Sequence, residues 1–354
     1  MSRAVPFLAA GLAAAVIATP ILAQRSGGGG GNRPSRQCIQ EIVKLCGRDR
    51  SQIPACLQSK ADQLSSKCQG EVQQRMQQRR QQRGGAEGPP QARAPNASRT
   101  VFFGSDKRQV IDVFEPADAV EDLPLILFVH GGGWRMGDNK YVQEKPAHFN
   151  RNEIYFASTG YRLFPDVTVE EQATDVGAAV QALVGQASAI GFDKDRIVLM
   201  GHSAGAHLAA LVAADPQYAG EAFSAIKGVV LLDGGGYDIA ATMEQAEQRQ
   251  KRLYTDIFSD DPERHRALSP LTYVGGKDAP NWLALYVEER EITRMQAQAL
   301  ANALVASGVK ASAVPIAGTN HSRMTREMGT EAGKAQTEAV DAFLAMVVGS
   351  EAGG

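Results

Sequence analysis

The stretch Ile197-Val198-Leu199-Met200-Gly201-His202-Ser203-Ala204-Gly205 decides the fold of this chain, together with the Ala/Leu-rich segment 206–214 that follows it. The four apolar residues predict a buried strand, and segment 206–214 predicts a helix. Gly-x-Ser-x-Gly between a strand and a helix is typical of a nucleophile elbow. The two glycines remove Cβ atoms that would collide in so tight a turn. We therefore interpret Ser203 as a nucleophile, and the alternative is an ordinary turn of small residues.

The composition is that of a globular chain. It has 354 residues, of which 44% are hydrophobic, and its net charge is −2. That length suffices for one large domain and a smaller one, and the near-neutral charge argues against a nucleic-acid-binding protein.

The N-terminus predicts export. Residues 4–23 are apolar after Arg3, and Ala23 offers a cleavage site, so residues 1–23 are interpreted as a signal peptide. An uncleaved membrane anchor is the alternative, because the stretch is near the length that spans a bilayer. Both interpretations place the rest of the chain outside the cytoplasm. With cleavage we expect a periplasmic or secreted protein without a stable membrane span.

The cysteines form one cluster within residues 37–70: Cys38, Cys46, Cys56 and Cys68. An even, clustered count in an exported chain favours two disulfides over a metal site, because no Cys-x-x-Cys pair and no nearby histidine is present. Apolar spacing predicts two helices joined by a turn. An antiparallel hairpin of this kind would pair Cys38 with Cys68 and Cys46 with Cys56, although four cysteines allow three connectivities.

The cysteine spacing resembles the cysteine-rich repeat of Golgi glycoprotein-type proteins. The resemblance covers residues 37–70 and implies an accessory module with a protein or surface partner, and no chemistry of its own. The flanking segments are interpreted as linkers, Gly-rich over 24–36 and then Gln/Arg-rich and Gly/Pro-rich over 71–99.

Strand-like and helix-like segments alternate between residues 100 and 349. Strands are predicted at residues 110–114, 125–129, 153–158, 196–200, 228–232, 282–287 and 310–315, and helices at 169–186, 206–214, 296–307 and 334–348. Repeated β-α order predicts an α/β domain with a mostly parallel central sheet flanked by helices.

A serine nucleophile needs a base, and the base needs an orienting acid. Where the serine lies on a strand-to-helix turn, the chain order is Ser, acid, His. Only His207, His265 and His321 follow Ser203. His207 lies within the elbow helix and His265 lies in a charged stretch with no strand before it. His321 follows a strand and a loop, so we interpret it as the base.

The acid is expected between the strand at 282–287 and the helix starting near residue 296. Three glutamates and no aspartate lie there: Glu288, Glu289 and Glu291. In a usual form of this region, Pro-Pro is followed by four apolar residues, His-Gly, two residues and Asp. Aligned without gaps, that pattern places the acid on Glu289, with Glu291 and Glu288 as alternatives.

A glycine-rich loop, His130-Gly131-Gly132-Gly133-Trp134, follows the strand at 125–129. Backbone N–H groups in such a loop can stabilise the oxyanion of a tetrahedral intermediate. We expect Gly132, Gly133 and Ala204 to form an oxyanion hole. The alternative is a glycine turn beside a core tryptophan.

Three motifs resemble those of the α/β-hydrolase esterases: His-Gly-Gly-Gly-Trp-Arg-Met-Gly-Asp from residue 130, Gly-Tyr-Arg-Leu-Phe-Pro from 160, and Asp-Lys-Asp-Arg-Ile-Val-Leu-Met-Gly-His-Ser-Ala-Gly from 193. The resemblance covers residues 100–348. Within these esterases the chain is similar to the group of hormone-sensitive-lipase-like carboxylesterases, BD-FAE-type feruloyl and xylan esterases, and kynurenine formamidases. The resemblance implies the same nucleophile, base and oxyanion donors. It departs from the group at the acid, where glutamate replaces the usual aspartate.

The resulting expectation is a serine carboxylesterase that needs no cofactor or metal. We expect Trp134 and Tyr237 to line a pocket for a short-acyl or aromatic ester, either free or linked to a polysaccharide. A kynurenine formamidase-like amide hydrolase is one alternative, and a non-catalytic binding protein with the same fold is another.

Overall fold

The structure, a computed structural model, describes residues 35–46, 63–72, 97–117, 122–245 and 248–349. The chain divides into two compact units, Met1–Pro90 and Gln91–Gly354. The expected signal peptide, most of both expected linkers and Cys56 lie outside the described residues. No helix within the described ranges combines the length and apolarity needed to cross a membrane.

The N-terminal unit contains helix α1 (Arg36–Cys46) and a second helical segment, α2, at residues 66–72. A disulfide joins Cys38 to Cys68, which confirms the outer pair expected from the hairpin. Cys46 is also disulfide-bonded. The two cysteines of the described bond are buried, and Ile42 packs with them. A small unit of this kind buries little core, so the cross-link supplies much of its stability.

A single eight-stranded sheet forms the centre of the second unit, in the order β1-β2-β4-β3-β5-β6-β7-β8. Strands β1 and β2 pair antiparallel with their neighbours, and all remaining pairs are parallel. The predicted mostly parallel sheet is confirmed. The strands are β1 Arg99–Phe102, β2 Val110–Phe114, β3 Leu123–Val129, β4 Tyr155–Thr159, β5 Phe192–His202, β6 Ile226–Leu232, β7 Asn281–Val287 and β8 Lys310–Ile316.

Helices cover both faces of this sheet. They are α3 Lys145–Arg151, α4 Val169–Ile190, α5 Ala204–Ala214, α6 Ile239–Gln245, α7 Gln248–Phe258, α8 Pro262–Ala267, α9 Glu291–Ala306, α10 His321–Arg326 and α11 Lys334–Val347. One apolar cluster contains side chains of α4, α5 and α9, and a second contains side chains of α3 and α11. Strand β3 contributes alternate residues to each cluster and is buried on both faces, as its continuous apolar run predicts.

The short helices α6, α7 and α8 are inserted between β6 and β7. The parallel strands β3, β5 and β6 end at the same edge of the sheet, so the loops that follow them meet there. The glycine loop follows β3 and Ser203 follows β5. This edge therefore brings together segments that are far apart in sequence.

Candidate active site

Ser203 lies on a strained turn between strand β5 and helix α5. Its backbone has φ 56° and ψ −119°, a conformation that a non-glycine residue rarely adopts. A Cβ on Gly201 would lie 2.3 Å from the carbonyl oxygen of Gly205, and a Cβ on Gly205 would lie 2.1 Å from that of Val129. Both flanking glycines are therefore sterically required, as expected for an elbow that exposes the serine hydroxyl.

His321 is the first residue of helix α10, and its Nε2 lies 3.0 Å from the Ser203 Oγ. Asn320 caps this helix by accepting a hydrogen bond from the Arg323 N–H at 3.0 Å. His202 donates from Nε2 to the carbonyl oxygen of His321 at 2.8 Å. Burial, with the nearby His321, lowers the pKa of His202 to about 3, so that ring stays neutral. The position of the His321 backbone is thus fixed from two sides.

The carboxylate next to His321 belongs to Asp233, which directly follows strand β6. Its Oδ2 lies 2.6 Å from the His321 Nδ1, and its Oδ1 accepts a hydrogen bond from the Val287 N–H at 3.1 Å. The side chain is fully buried, and Arg290 also contacts Oδ2. Burial raises the pKa of this carboxyl, but the hydrogen bond from His321 and the charge of Arg290 outweigh it and hold the pKa at about 2. Asp233 is therefore ionised at neutral pH.

The expected acid Glu289 is not at this position, nor are its alternatives Glu288 and Glu291. All three are exposed and line a separate surface pocket. The chain turns immediately after β7, with the Arg290 N–H donating to the Val287 carbonyl at 3.0 Å. That turn leaves Glu288 and Glu289 on the surface and directs Arg290 toward Asp233. The expectation of a Ser-His-Glu arrangement therefore does not match this geometry.

A sequence signal for Asp233 existed. It directly follows the apolar run at 228–232, precedes three consecutive glycines, and satisfies the chain order Ser203, acid, His321. The acid of such a site more usually lies in the loop after the next strand, which is why the sequence pattern favoured residues 288–291.

The glycine loop after β3 lines the same cleft as Ser203 and His321. Gly132 and Gly133 have φ of 133° and 59°, and a Cβ on Gly132 would lie 2.1 Å from the Met136 carbonyl oxygen. Among the described residues, no acceptor takes the N–H of Gly132 or Gly133. The Ala204 N–H lies in the first turn of helix α5, where N–H groups have no intrahelical partner. These three N–H groups can therefore donate to a bound oxyanion.

Trp134 and Tyr237 are buried and do not line this cleft, contrary to expectation. Trp134 has φ 61°, which directs its indole into the core. Its Nε1 donates to the His207 Nδ1 at 3.3 Å, and the His207 Nε2 donates to the Leu268 carbonyl at 2.8 Å. The indole also packs edge-on against Phe258 of the inserted helices, with ring centroids 4.9 Å apart. Trp134 thus anchors the glycine loop from behind.

The cleft in front of Ser203 has a volume of about 440 Å³ and is open to solvent. Its walls come from β3, the glycine loop, the segment before α3, the elbow and helix α10. They include Phe128, Met136, Tyr141, Gln143, Thr325 and Arg326. Among the described residues, no group of three His, Cys, Asp or Glu side chains could hold a metal ion.

Comparison with known proteins places this arrangement in a family. The BD-FAE family model matches residues 111–304, more than half of the chain. An isoprenylcysteine alpha-carbonyl methylesterase of Arabidopsis thaliana is 29% identical over 254 residues, which cover 67% of this chain and 59% of that protein. A kynurenine formamidase of Danio rerio is 24% identical over 243 residues, 68% of this chain and 80% of that protein. The chain thus spans less than two thirds of the length of the methylesterase relatives it matches.

Among solved structures, a thermophilic esterase from Thermogutta terrifontis aligns with a TM-score of 0.60 at 20% identity. The alignment covers 75% of this chain and 97% of that chain. This likeness shows the α/β-hydrolase fold. Because the BD-FAE model matches the greater part of the sheet and the elbow, the chain belongs to the BD-FAE family.

Proposed function

We propose that this protein is a serine carboxylesterase that acts through Ser203, His321 and Asp233. The observation that carries the proposal is the hydrogen-bonded series from the Ser203 Oγ to the His321 Nε2 at 3.0 Å and from the His321 Nδ1 to the Asp233 Oδ2 at 2.6 Å. A nucleophile and base within hydrogen-bond reach, with the base oriented by a third group, is the arrangement that activates a serine hydroxyl. Family membership and the named esterase relatives support the same reaction class.

The geometry supports acyl transfer in two steps. Ser203 attacks the ester carbonyl while His321 accepts its proton at Nε2, and Asp233 stabilises the resulting imidazolium through Nδ1–H. The N–H groups of Gly132, Gly133 and Ala204 donate to the developing oxyanion, where each donor contributes about 3 kcal/mol in the transition state. His321 then returns the proton to the leaving alcohol. Water, activated by the same base, hydrolyses the acyl-enzyme and releases the acid.

The cleft favours a short-acyl or aromatic ester. Met136 and Tyr141 line it and are 67% and 59% exposed, so they offer apolar surface at its mouth. A second candidate, hydrolysis of a formamide, is favoured by the kynurenine formamidase relative. The same nucleophile, base and oxyanion donors would serve it.

The proposal is tested with a fluorophosphonate probe on the folded full-length chain, with Ser203→Ala as control. We expect the wild-type chain to be labelled and Ser203→Ala to remain unlabelled. A wild-type chain that folds and does not label would overturn the proposal. A panel of 4-nitrophenyl esters, a feruloyl ester, acetylated xylan and N-formylkynurenine then separates ester from formamide hydrolysis.

We also infer that the protein acts outside the cytoplasm. The apolar segment 4–23 and the Cys38–Cys68 disulfide support export, because disulfides form and persist in oxidising compartments. Fractionation of cells expressing the full chain, with N-terminal sequencing of the exported form, tests the inference. Recovery of the chain in the cytoplasm with reduced cysteines would contradict it.

A further inference from the structure

The walls of the cleft carry one permanent charge. Apart from histidines and Tyr141, Arg326 is the only ionisable side chain among the described residues that line it, and no aspartate or glutamate is among them. The negative charge of Asp233 is buried and is paired with the positive charge of Arg290. A substrate in the cleft therefore meets a positively charged wall without a compensating carboxylate.

Arg326 is unpaired, unlike its neighbour on the same helix. Arg323 forms an ion pair with Glu327 at 2.7 Å. Arg326 makes no ion pair or hydrogen bond with any residue in the described ranges. The adjacent Thr325 Oγ1 is buried and also lacks a hydrogen-bond partner among those residues. The exposed guanidinium of Arg326 is thus available to a ligand in the cleft wall, whereas the Thr325 hydroxyl beside it is enclosed by protein atoms.

Helix α10 fixes this pair of groups relative to the catalytic base. Thr325 lies four residues after His321, so the two side chains share one face of the helix and are separated by one turn of about 5.4 Å. Arg326 follows immediately and lines the same cleft. A ligand group bound by Arg326 would therefore be separated by only a few covalent bonds from the ester carbonyl that Ser203 attacks, within one small substrate.

A buried lysine lies behind two residues of the cleft wall. Lys145 is fully buried, and its Nζ is 4.8 Å from the centroid of the Phe128 ring. It donates to the Val142 carbonyl at 3.2 Å and to the Gln143 Oε1 at 3.1 Å, and no carboxylate among the described residues pairs with it. Phe128 and Gln143 both line the cleft. Any positive charge that Lys145 retains therefore adds to the potential of Arg326.

Part of the cleft lining is apolar or aromatic. Met136 and Tyr141 lie at the mouth of the cleft and expose most of their side chains. An arginine fork matches the geometry of a carboxylate and binds it through two parallel hydrogen bonds. The walls together fit a ligand with an apolar body and one terminal carboxylate.

We propose that the preferred substrates are esters that carry a free carboxylate, such as monoesters of dicarboxylic acids, with that carboxylate bound by Arg326. This inference rests on the esterase activity proposed above and names its substrate class. The bound carboxylate takes no part in the chemistry. Ester and water give acid and alcohol through the Ser203 acyl-enzyme, and the second carboxylate only positions the carbonyl.

The test compares two methyl esters of equal length and shape with the full-length protein. One is monomethyl glutarate, which is anionic, and the other is its neutral amide counterpart, methyl 5-amino-5-oxopentanoate. We expect kcat/KM of the wild-type protein to favour the anionic ester by about tenfold at low salt, the size of one charge-assisted hydrogen bond in a solvated cleft. Arg326→Gln should reduce this ratio to near one, and Arg326→Glu should invert it.

The ratio is measured within one preparation of each variant, so partial loss of folded protein does not change it. Lys334→Gln, an equal change of charge at an exposed residue that does not line the cleft, should keep the wild-type ratio within about twofold. A wild-type ratio near one, or a ratio unchanged in Arg326→Gln, would overturn the inference and leave the esterase proposal intact. If the wild-type protein hydrolyses neither of these two esters nor any ester of the activated panel, the esterase proposal itself is contradicted.

Discussion

Arg290 contacts the same Oδ2 of Asp233 that lies 2.6 Å from the His321 Nδ1. Asp233 follows strand β6 and Arg290 follows strand β7. The sequence predicted the acid in the loop after β7. That loop instead supplies the cation Arg290, which contacts an acid, Asp233, that follows the neighbouring strand.

The first prediction concerns the identity of the acid. Asp233→Asn should lower kcat by roughly 10³ to 10⁴, because the amide cannot stabilise the imidazolium and favours the wrong tautomer of His321. Glu289→Gln is the matched change at an exposed residue and should keep kcat within about twofold. Steady-state hydrolysis of an activated ester measures both. Equal losses in the two variants would contradict the assignment of Asp233.

The second prediction concerns Arg290 as a positioning residue. A guanidinium only donates hydrogen bonds, so it acts by holding the Asp233 carboxylate ionised and in place. Arg290→Gln should lower kcat by about tenfold, and Arg290→Lys should recover part of that loss. In an Asp233→Asn background the same Arg290→Gln change should cost less than about twofold. An undiminished loss in that background would mean that Arg290 does not act through Asp233.

The third prediction concerns the support of the glycine loop. Trp134→Phe removes the hydrogen bond to His207 and should lower kcat by about tenfold with little change in KM, because the loop loses its anchor. Trp282→Phe is the matched control. Trp282 lies on strand β7, and the change removes a similar buried hydrogen bond, from the Trp282 Nε1 to the Ala279 carbonyl at 2.8 Å. We expect Trp282→Phe to lower the free energy of unfolding by about 1 kcal/mol and to keep kcat within about twofold.

The fourth prediction concerns the buried Lys145. Burial lowers its pKa from 10.5 to about 7, so the unfolded chain binds more protons at this residue between those two pH values. The cost of burying the charge is therefore complete below pH 7 and disappears as the pH rises toward 10.5. Lys145→Met should raise the free energy of unfolding by about 1–4 kcal/mol at pH 6, and this gain should shrink toward pH 10.

Denaturant unfolding of the full chain at several pH values measures this difference. Lys310 is exposed, so Lys310→Met should not raise the free energy of unfolding at pH 6 relative to pH 10. A Lys145→Met protein less stable than wild type at every pH would show that the two hydrogen bonds and the Phe128 contact outweigh the cost of burial.

The fifth prediction concerns the N-terminal unit. The Cys38–Cys68 bond spans 30 residues of sequence, and closing a loop of that length stabilises a unit by about 3–4 kcal/mol. Replacing both cysteines with serine should therefore speed amide hydrogen exchange in residues 35–46 and 63–72 of the full chain. Exchange in helix α4 of the other unit serves as the internal reference. Unchanged protection in the N-terminal segments would contradict the prediction.

Much of the fold could be predicted because its signals are local. Continuous apolar runs predict strands buried on both faces, and Gly201 is required by a contact within the elbow itself, with the carbonyl oxygen of Gly205. His321 could be found because chain order excluded the three histidines before Ser203, and local context excluded His207 and His265. The disulfide from Cys38 to Cys68 matches the pairing expected for an antiparallel hairpin, one of the three connectivities that the sequence left open.

The acid and the pocket walls could not be predicted in this way, because they depend on where a side chain points after a strand ends. Asp233 and Trp134 both have positive φ, 45° and 61°, which turns their side chains away from the direction that an extended chain would give. Trp134 consequently packs into the core, and Asp233 reaches under His321. Neither orientation is visible in the order of residues along the chain.

The position of Asp233 also determines which parts of the sequence can vary during evolution. Because the acid follows β6, the exposed glutamates at 288, 289 and 291 are released from the chemistry that usually constrains the loop after β7. A library that randomises these three positions while keeping Arg290 should retain activity in a large share of its members. This loop is therefore a place where natural drift or directed evolution can build new surface contacts without rebuilding the catalytic centre.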